Sequence, residues 1–357
     1  MSMAIGTPLT SAEDQLVKCV IWDLDNTLWT GTLAEGDDVK LKSGVRQILS
    51  ALDKRGILLS ISSKNNFEDA FKRLQEFQID HYFLWPQISW SAKSVGISII
   101  QSNLNVGMDS LLFIDDQPFE LEEVKAAHPD IQVTTADNYK QLLEEPRLNP
   151  KEISDDAALR RQKYQTDIIR RHVEDNYIGT PEDFLCSLDM HLIISPAEEK
   201  DLLRAHELTV RTNQLNSTGF TYDIDELRMV IESEKHELLV CELTDKYGTY
   251  GKIGLALVEK TETIHHIRLL LMSCRTASRG IGSVLMTYIS NSAIRQNAKL
   301  YADFLRTDRN RQMYVTYKMM NFVEHEKFDD GRIIFESQVS AIQSYPSYIS
   351  LIEKKGL

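Results

Sequence analysis

Two α/β domains in tandem, the first built on a doubly wound parallel sheet, are what this sequence predicts, and three observations carry the prediction. Short apolar runs alternate with amphipathic helical patterns from Val17 onward, the pattern of βαβ units and a parallel sheet. Two of the runs end in paired aspartates, Asp23-Leu24-Asp25 and Asp115-Asp116, where parallel sheets hold their ligands, beyond the carboxyl ends of the strands. Past Pro181 a second α/β pattern begins, with several strand patterns and an Arg279-Gly280-Ile281-Gly282 turn opening a helix. A chain of 357 residues has room for both domains.

Residues 1–16 read as a tail and 17–145 as the first domain. Its strands are predicted at Cys19–Trp22, Ile57–Ile61, Tyr82–Trp85, Leu111–Ile114 and Ile131–Val133. The helices between them are predicted near Ser43–Lys54, Phe67–Phe77, Lys93–Leu104 and Phe119–Ala127. In the first run, side-chain alternation puts Asp23 and Asp25 on one side at the mouth of the sheet. Carboxylates so close repel unless a proton or a cation stands between them, and a hard divalent ion held by oxygens meets that demand. The bland alternative is a strand end followed by an Asp/Asn turn. Two such acidic strand ends in one sheet are harder to read as turns than either alone.

The second run leads into Ser60-Ile61-Ser62-Ser63-Lys64-Asn65-Asn66. Ser63 there is either a helix cap or, with the amides around Asn65, a ligand for a phosphate oxygen at a helix N-terminus. Lys93 opens the next helix, placed to neutralise a phosphate and Asp23 unless it is simply solvated.

The string Val20-Ile21-Trp22-Asp23-Leu24-Asp25-Asn26-Thr27-Leu28-Trp29 resembles the first motif of the haloacid dehalogenase (HAD) phosphotransferases. Ser63, Lys93 and Asp115-Asp116 fall where that superfamily has its second, third and fourth motifs. The resemblance implies that Asp23 attacks phosphorus and that Asp25 shuttles a proton to and from the leaving group. It also implies a Mg2+ ion on Asp23, on the Asp25 carbonyl and on one of Asp115 and Asp116, with Asp116 favoured. No large cap is inserted between Thr27 and the first helix.

Composition bounds the rest. A net charge of −13 argues against general nucleic-acid binding. Cys19, Cys186, Cys241 and Cys274 show no metal-ligand spacing, which fits a reducing compartment. No stretch approaches the ~18 apolar residues of a membrane span, and the expected location is cytoplasmic. Residues 146–180 read as a helical linker with a basic stretch at Arg160-Arg161-Gln162-Lys163 and Arg170-Arg171-His172, either a solvated face or a docking surface for an acidic partner.

In the second domain, 181–357, strands are predicted at His191–Ser195, Glu237–Leu243, Lys252–Val258, Thr263–Leu271 and Leu300–Leu305, then a helix at Arg311–Met319 and a final strand pair. The Arg279–Gly282 turn gathers backbone N–H groups suited to an anion. It resembles the acyl-CoA loop of the GCN5-related N-acetyltransferase (GNAT) fold, except that Ala277 stands where Gln or Arg is usual. Together with Leu208-Thr209-Val210-Arg211-Thr212-Asn213-Gln214-Leu215-Asn216 and Met272-Ser273-Cys274-Arg275, the motifs resemble the FkbH-like family along nearly the whole chain from Val17.

That resemblance implies a bifunctional phosphatase and glyceryl transferase. Such an enzyme takes the three-carbon unit of 1,3-bisphosphoglycerate and loads it as a thioester on the phosphopantetheine arm of an acyl carrier protein. Cys274 is then the acyl nucleophile, at a strand end before a helix N-terminus and beside Arg275, while Asn213 and Gln214 bind acyl or pantetheine amides. For Cys274 the competing reading is a small buried hydrophobe, and for Asn213 and Gln214 a loop brace. Helix 160–172 and Arg306, Arg309 and Arg311 are the carrier-docking candidates. Two other functions compete: a Mg2+-dependent phosphatase whose second domain is only a lid and specificity module, and a docking module with a decayed phosphatase.

Overall fold

A computed structural model describes residues 7–8, 16–150 and 152–353. The tail expected at 1–16 lies almost wholly outside the described residues. The chain divides into two compact units, residues 10–165 and residues 166–357 together with 1–9. Strand β1 (Thr7–Pro8) belongs to the second of these. Residues 146–165 of the expected linker fall in the first unit and 166–180 in the second.

The first unit starts with β2 (Cys19–Trp22), a fully buried apolar strand. A small antiparallel hairpin follows, β3 (Trp29–Thr30) with β4 (Lys40–Leu41). Then come α1 (Val45–Lys54), β5 (Leu58–Ser63), α2 (Phe67–Glu76), β6 (Gln87–Ile88), α3 (Lys93–Leu104), β7 (Leu111–Asp115), α4 (Pro118–Ala127) and β8 (Gln132–Thr135). The strands form one sheet in the order β6-β5-β2-β7-β8, parallel throughout. Helices α1 and α2 bury Val45, Ile48, Leu49, Leu52, Ala70 and Leu74 in a core with the strands; α3 packs against β5 and α4 against β7. The chain runs outward from β2 one way, then returns to build β7 and β8 on the other side. Strands β2 and β7 therefore flank the switch point where doubly wound sheets open a crevice.

The third strand is displaced from its predicted place. Phe83 makes only a lone bridge to Leu59, Trp85 turns through positive φ, and the strand forms at Gln87–Ile88. The apolar run is there, but the turn at Trp85 breaks it before pairing begins.

The basic stretch is corrected by the structure. Helices α5 (Asp155–Ala158) and α6 (Arg160–Asp175) replace the single predicted helix. Arg160, Lys163 and Arg170 are buried, not solvated. Arg160 donates to the Gly56 carbonyl, and Gly56 has to be glycine: its φ is +70°, and a Cβ would stand 2.2 Å from the Arg160 guanidinium. Arg161 grips Asp53 through two bonds of 2.9 and 3.1 Å, and Lys163 pairs with Asp156. Burial selects paired charges, so Arg160, Arg161 and Lys163, and Arg170 with its carboxylate partners Asp167 and Asp245, brace the fold.

In the second unit come α7 (Pro181–Ser187), β9 (Met190–Pro196), α8 (Leu202–Arg211), β10 (Phe220–Thr221), α9 (Ile224–Ile231), β11 (His236–Asp245), β12 (Gly248–Lys260) and β13 (Ile264–Met272). They are followed by α10 (Ile281–Arg295), β14 (Lys299–Leu305), α11 (Arg311–Met319), β15 (Phe322–Lys327), β16 (Arg332–Ser337) and β17 (Ile349–Glu353). The sheet order is β15-β16-β14-β13-β12-β11-β9-β17; β1 pairs separately with β10. Alternation along β11 sends Leu239, Cys241 and Leu243 to a core with α10 and α11, and Leu238 and Val240 to a core with α8 and α9. The predicted final pair is β15–β16; β17 adds a third strand, parallel to β9 at the far edge.

Candidate active site

Four strand ends and helix starts of the first unit converge on one carboxylate. Asp23 follows β2 directly, its N–H donating to the Ile114 carbonyl at 2.9 Å, and its side chain is buried. The Lys93 ammonium, at the first residue of α3, lies 2.9 Å from Asp23 Oδ1 and 2.5 Å from Asp115 Oδ2. Lys93 is 4% exposed, which removes the solvated reading. Ser63 closes β5 and hydrogen-bonds the Asp23 carboxylate. The cap of α2 is Asn66, which accepts the Asp69 N–H at 3.2 Å. Ser63 is thus left for the site.

Asp25 is held differently. Its Oδ1 accepts the Trp29 indole N–H at 2.7 Å and the Leu33 N–H at 3.0 Å, and its Oδ2 accepts the Asn65 amide at 2.9 Å. Buried Asn65 therefore grips the proposed proton shuttle, a role the sequence did not show. A tight turn makes this arrangement: the Leu24 carbonyl accepts the N–H groups of Thr27, Leu28 and Trp29. Asn26 takes positive φ, which asparagine tolerates.

Oxygens of Asp23, Asp115 and Asp116 lie within 4.8 Å of one another. Their partners separate the two neighbours. Asp115 is committed, Oδ2 to Lys93 and Oδ1 to the Gln117 N–H at 2.9 Å. Asp116 Oδ1 is buried with no hydrogen-bond partner among the described residues. An orphaned buried carboxylate oxygen beside two more carboxylates suits a hard cation, and Asp116 is the better ligand. The electrostatics agree. Burial pushes the Asp23 carboxyl up against the opposing pull of Lys93 and Ser63. Burial, with Asp23 nearby, pushes Asp115 up to about 7 although Lys93 opposes it. Burial pulls the Lys93 ammonium down, but Asp23 and Asp115 more than offset this and raise it. One lysine leaves the cluster short of positive charge, and a divalent cation would supply it.

The second unit places its candidates in a different manner. Strands β13 and β14 pair in parallel only from Ile264–Lys299 to Ile267–Ala302. Beyond that point Leu215–Ser217 lies between them. The Met272 N–H donates to the Leu215 carbonyl, the Ser217 N–H to the Leu270 carbonyl, and the Leu305 N–H to the Ser217 carbonyl, at 2.9, 2.9 and 3.0 Å. Wholly buried Asn310 clamps the insert, its amide donating to the carbonyls of Asn216 at 3.1 Å and Leu305 at 2.8 Å. The Leu208–Asn216 motif is thus the end of a helix and an added strand-like segment. Gln214 Oε1 and Cys274 Sγ are 3.9 Å apart. Asn213 Oδ1 is buried and unpartnered among the described residues.

Cys274 follows β13, half-buried. Cys19 and Cys241 are wholly buried, and burial pushes both thiols far up; Cys186 is exposed on α7. Arg275, read from the sequence as a substrate- or phosphate-binding residue beside Cys274, has protein partners of its own. It donates to the Tyr250 carbonyl at 2.9 Å and stands 3.6 Å from Asp167. Arg170 beside it binds Asp245 through two 2.8 Å bonds and stacks on Tyr250 at 3.7 Å. Arg279 pairs with Glu174 at 2.8 Å, and the Tyr348 hydroxyl stands over Gly280, 2.6 Å from where a Cβ would be. No described helix is long and apolar enough to cross a membrane.

No protein-family model and no curated protein matches the chain. Among solved structures it is similar to the N-terminal part, containing a phosphatase domain and complexed with Mg, of a protein from Bacteroides fragilis. Identity is 28% over 39% of this chain and 42% of that one, with a TM-score of 0.33. The chain thus spans less than half of that neighbour. It is also similar to the ribosomal-protein-S18-alanine N-acetyltransferase of Escherichia coli, at 15% identity over 43% of this chain and 99% of that one, TM-score 0.32. A third neighbour is the PaiA N-acetyltransferase of Thermoplasma acidophilum in complex with coenzyme A, at 13% identity over 42% of this chain and 99% of that one, TM-score 0.32.

Proposed function

We propose that the chain is a Mg2+-dependent phosphatase joined to an acyl-transfer domain, an FkbH-like enzyme that moves a glyceryl unit from 1,3-bisphosphoglycerate to an acyl carrier protein. The observation that carries the reading is the Asp23–Lys93–Asp115 cage with the orphaned Asp116 oxygen beside it. In this reading Asp23 attacks the phosphate ester, the P–O bond to the substrate breaks, and an aspartyl phosphate forms. Asp25, oriented by Trp29, Leu33 and Asn65, gives a proton to the departing alkoxide and takes one from the water that then hydrolyses the intermediate. Lys93 and Ser63 hold the transferring phosphoryl oxygens and the nucleophile. Asp23, Asp116 and the Asp25 carbonyl would hold Mg2+, which supplies positive charge against the phosphoryl oxygens when bound.

For the acyl phosphate, the Cys274 thiolate is the nucleophile: its C–S bond forms as the C–O bond to phosphate breaks. The carrier thiol then takes the acyl group and returns Cys274 as a thiol. Half-burial at a strand end, beside Gln214, supports Cys274 over the three other cysteines. Arg275 supports the loop through Tyr250 and Asp167 in this reading and does not touch substrate. Arg306, Arg309 and Arg311 are exposed and remain the docking candidates for an acidic carrier.

Intact-mass analysis tests this, with holo carrier protein, Mg2+ and freshly generated 1,3-bisphosphoglycerate, wild type beside Asp23→Asn and Cys274→Ala. A glyceryl adduct on the carrier that disappears in Cys274→Ala supports the reading. Phosphate release with no carrier adduct, indifferent to Cys274, leaves a phosphatase whose second domain serves as a lid.

A further inference from the structure

A second lysine stands at the phosphoryl centre, and nothing in the motifs singles it out. The hairpin β3–β4 delivers Lys42 back to the turn after β2. Its N–H donates to the Leu28 carbonyl at 3.1 Å, and its ammonium donates to the carbonyl of Asn26, the residue after Asp25. The ring of Tyr139 lies 5.6 Å from that ammonium, and the Tyr139 hydroxyl fixes the neighbouring backbone by donating to the Ser43 carbonyl at 2.8 Å. The carboxylates of Asp116, Asp137 and Asp23 stand near enough to act on its charge, although burial outweighs them and lowers its pKa.

The partners of Lys42 differ from those of the neighbouring lysines. Lys93 is shared by Asp23 and Asp115, and Lys64, next to Ser63 in the chain, pairs with Glu120 at 2.6 Å. Among the described residues Lys42 has no carboxylate within ion-pair distance and one acceptor, a carbonyl, for three ammonium donors. A substrate with a second anion near its phosphate would meet Asp116 and Asp137 on that side and be repelled there unless a cation intervened. Lys42 is that cation.

Resting on the phosphatase reading, we propose that Lys42 is a positioning residue for a second anionic group of the substrate. The phosphatase centre then selects phosphate monoesters that carry a carboxylate or a second phosphate within a few bonds of the reacting phosphorus.

The test compares 3-phosphoglycerate with glycerol 3-phosphate, which lacks the carboxylate, on the full chain with Mg2+. Glutamine at the position (Lys42→Gln) is expected to raise KM for 3-phosphoglycerate roughly tenfold, the worth of one charge-assisted hydrogen bond. Its effect on glycerol 3-phosphate should be under about threefold on the same scale, and Lys42→Arg should restore most of the difference. Equal losses on both substrates, or a fall in kcat with both KM values held, would overturn the proposal and make Lys42 a staple of the Asn26 turn. Calorimetric binding of both ligands in the same buffer separates the two readings. Wild type that releases no phosphate yet binds 3-phosphoglycerate better than Lys42→Gln does would reject the phosphatase and keep the role of Lys42. Indistinguishable binding by the two proteins would reject the role of Lys42.

Discussion

The two candidate centres of this chain are assembled by different physics. At the phosphoryl centre Asp23, Ser63, Lys93 and Asp115-Asp116 come from separate elements, yet parallel pairing of β2, β5 and β7 brings their ends to one edge. Topology alone collects them, and burial then forces them to pair. Around Cys274 no such convergence operates. Asn213 and Gln214 directly precede one inserted segment, Cys274 follows β13, and Arg275 is drawn off by Asp167 and the Tyr250 carbonyl. A site built on strand ends is specified by the sheet; a site built on an insert depends on the hydrogen bonds that hold the insert.

The largest expected effect separates the two centres outright. Replacing the nucleophile in Asp23→Asn should lower Mg2+-dependent phosphate release by about 10⁴-fold or more, as loss of an enzymatic nucleophile does. The Cys274→Ala variant should keep that rate and lose the acyl adduct. Phosphate release measured beside intact mass decides this; loss of both activities in Cys274→Ala would mean the comparison is misdrawn.

Next in size is the division of labour between Asp115 and Asp116. Outer partners of a metal site are worth roughly 10–100-fold in affinity, and a direct ligand should be worth no less. Asp116→Asn should therefore raise the Mg2+ needed for half-maximal rate by at least that factor. In Asp115→Asn the main defect should be a lower kcat, because Lys93 loses its second carboxylate. A Mg2+ titration of both variants reads the difference, and the reverse assignment would show as the larger shift in Asp115→Asn.

The insert makes a smaller prediction, on stability. Asn310→Ala strands the carbonyls of Asn216 and Leu305 in the core. Unpaired buried polar groups cost about 1–3 kcal/mol each, about 2–6 kcal/mol for the two, which for a unit of this size lowers its Tm by roughly 4–24 °C. Scanning calorimetry should show the second unit melting earlier and the first unchanged. Acyl transfer should fall with it, since Gln214 precedes the insert directly.

These contrasts also mark what was legible in the sequence. Parallel topology follows from alternating apolar runs, and the paired aspartates stand out as acidic strand ends, whereas the choice of Ser63, Lys93 and Asp116 over their blander alternatives comes from the resemblance to the HAD motifs. The roles of Asn65 on Asp25 and of Lys42 on the Asn26 carbonyl were not legible, because each depends on a local turn that no periodicity encodes. The buried state of Arg160, Lys163 and Arg170 was hidden for a related reason. A helix of charged residues looks solvated until the partners Asp156, Asp245 and the Gly56 carbonyl, remote in sequence or concealed by fold, are known. In the second unit the strands were readable by period two, but the strand-like insertion of Leu215–Ser217 was not, since its strand-like bonds run from backbone groups and its clamp, Asn310, is remote in sequence.

The smallest effect concerns pH and sharpens the contrast between an electrostatic centre and a hydrogen-bonded one. Burial, then Asp23, pushes the Asp115 carboxyl from 3.8 up to about 7, against the pull of Lys93. Between those two values the folded, metal-free protein holds a proton that the unfolded chain has released. Its stability therefore falls as pH rises through that window: the contribution is full below the ordinary carboxyl pKa and gone above about 7. A divalent cation on Asp23 and Asp116 would favour the ionised form of neighbouring Asp115, so Mg2+ affinity should climb as pH rises towards 7, at most about tenfold per pH unit for one proton. The Tm gain from a fixed Mg2+ concentration should be small at pH 5.5 and larger at pH 8 by a few degrees (on the order of 1–2 kcal/mol of linkage). Asp115→Asn should flatten this dependence, whereas Cys274→Ala should leave it as in wild type. Equal Mg2+ gains at both pH values in wild type would mean that the aspartate cluster is already fully ionised, and that Lys93 alone balances it.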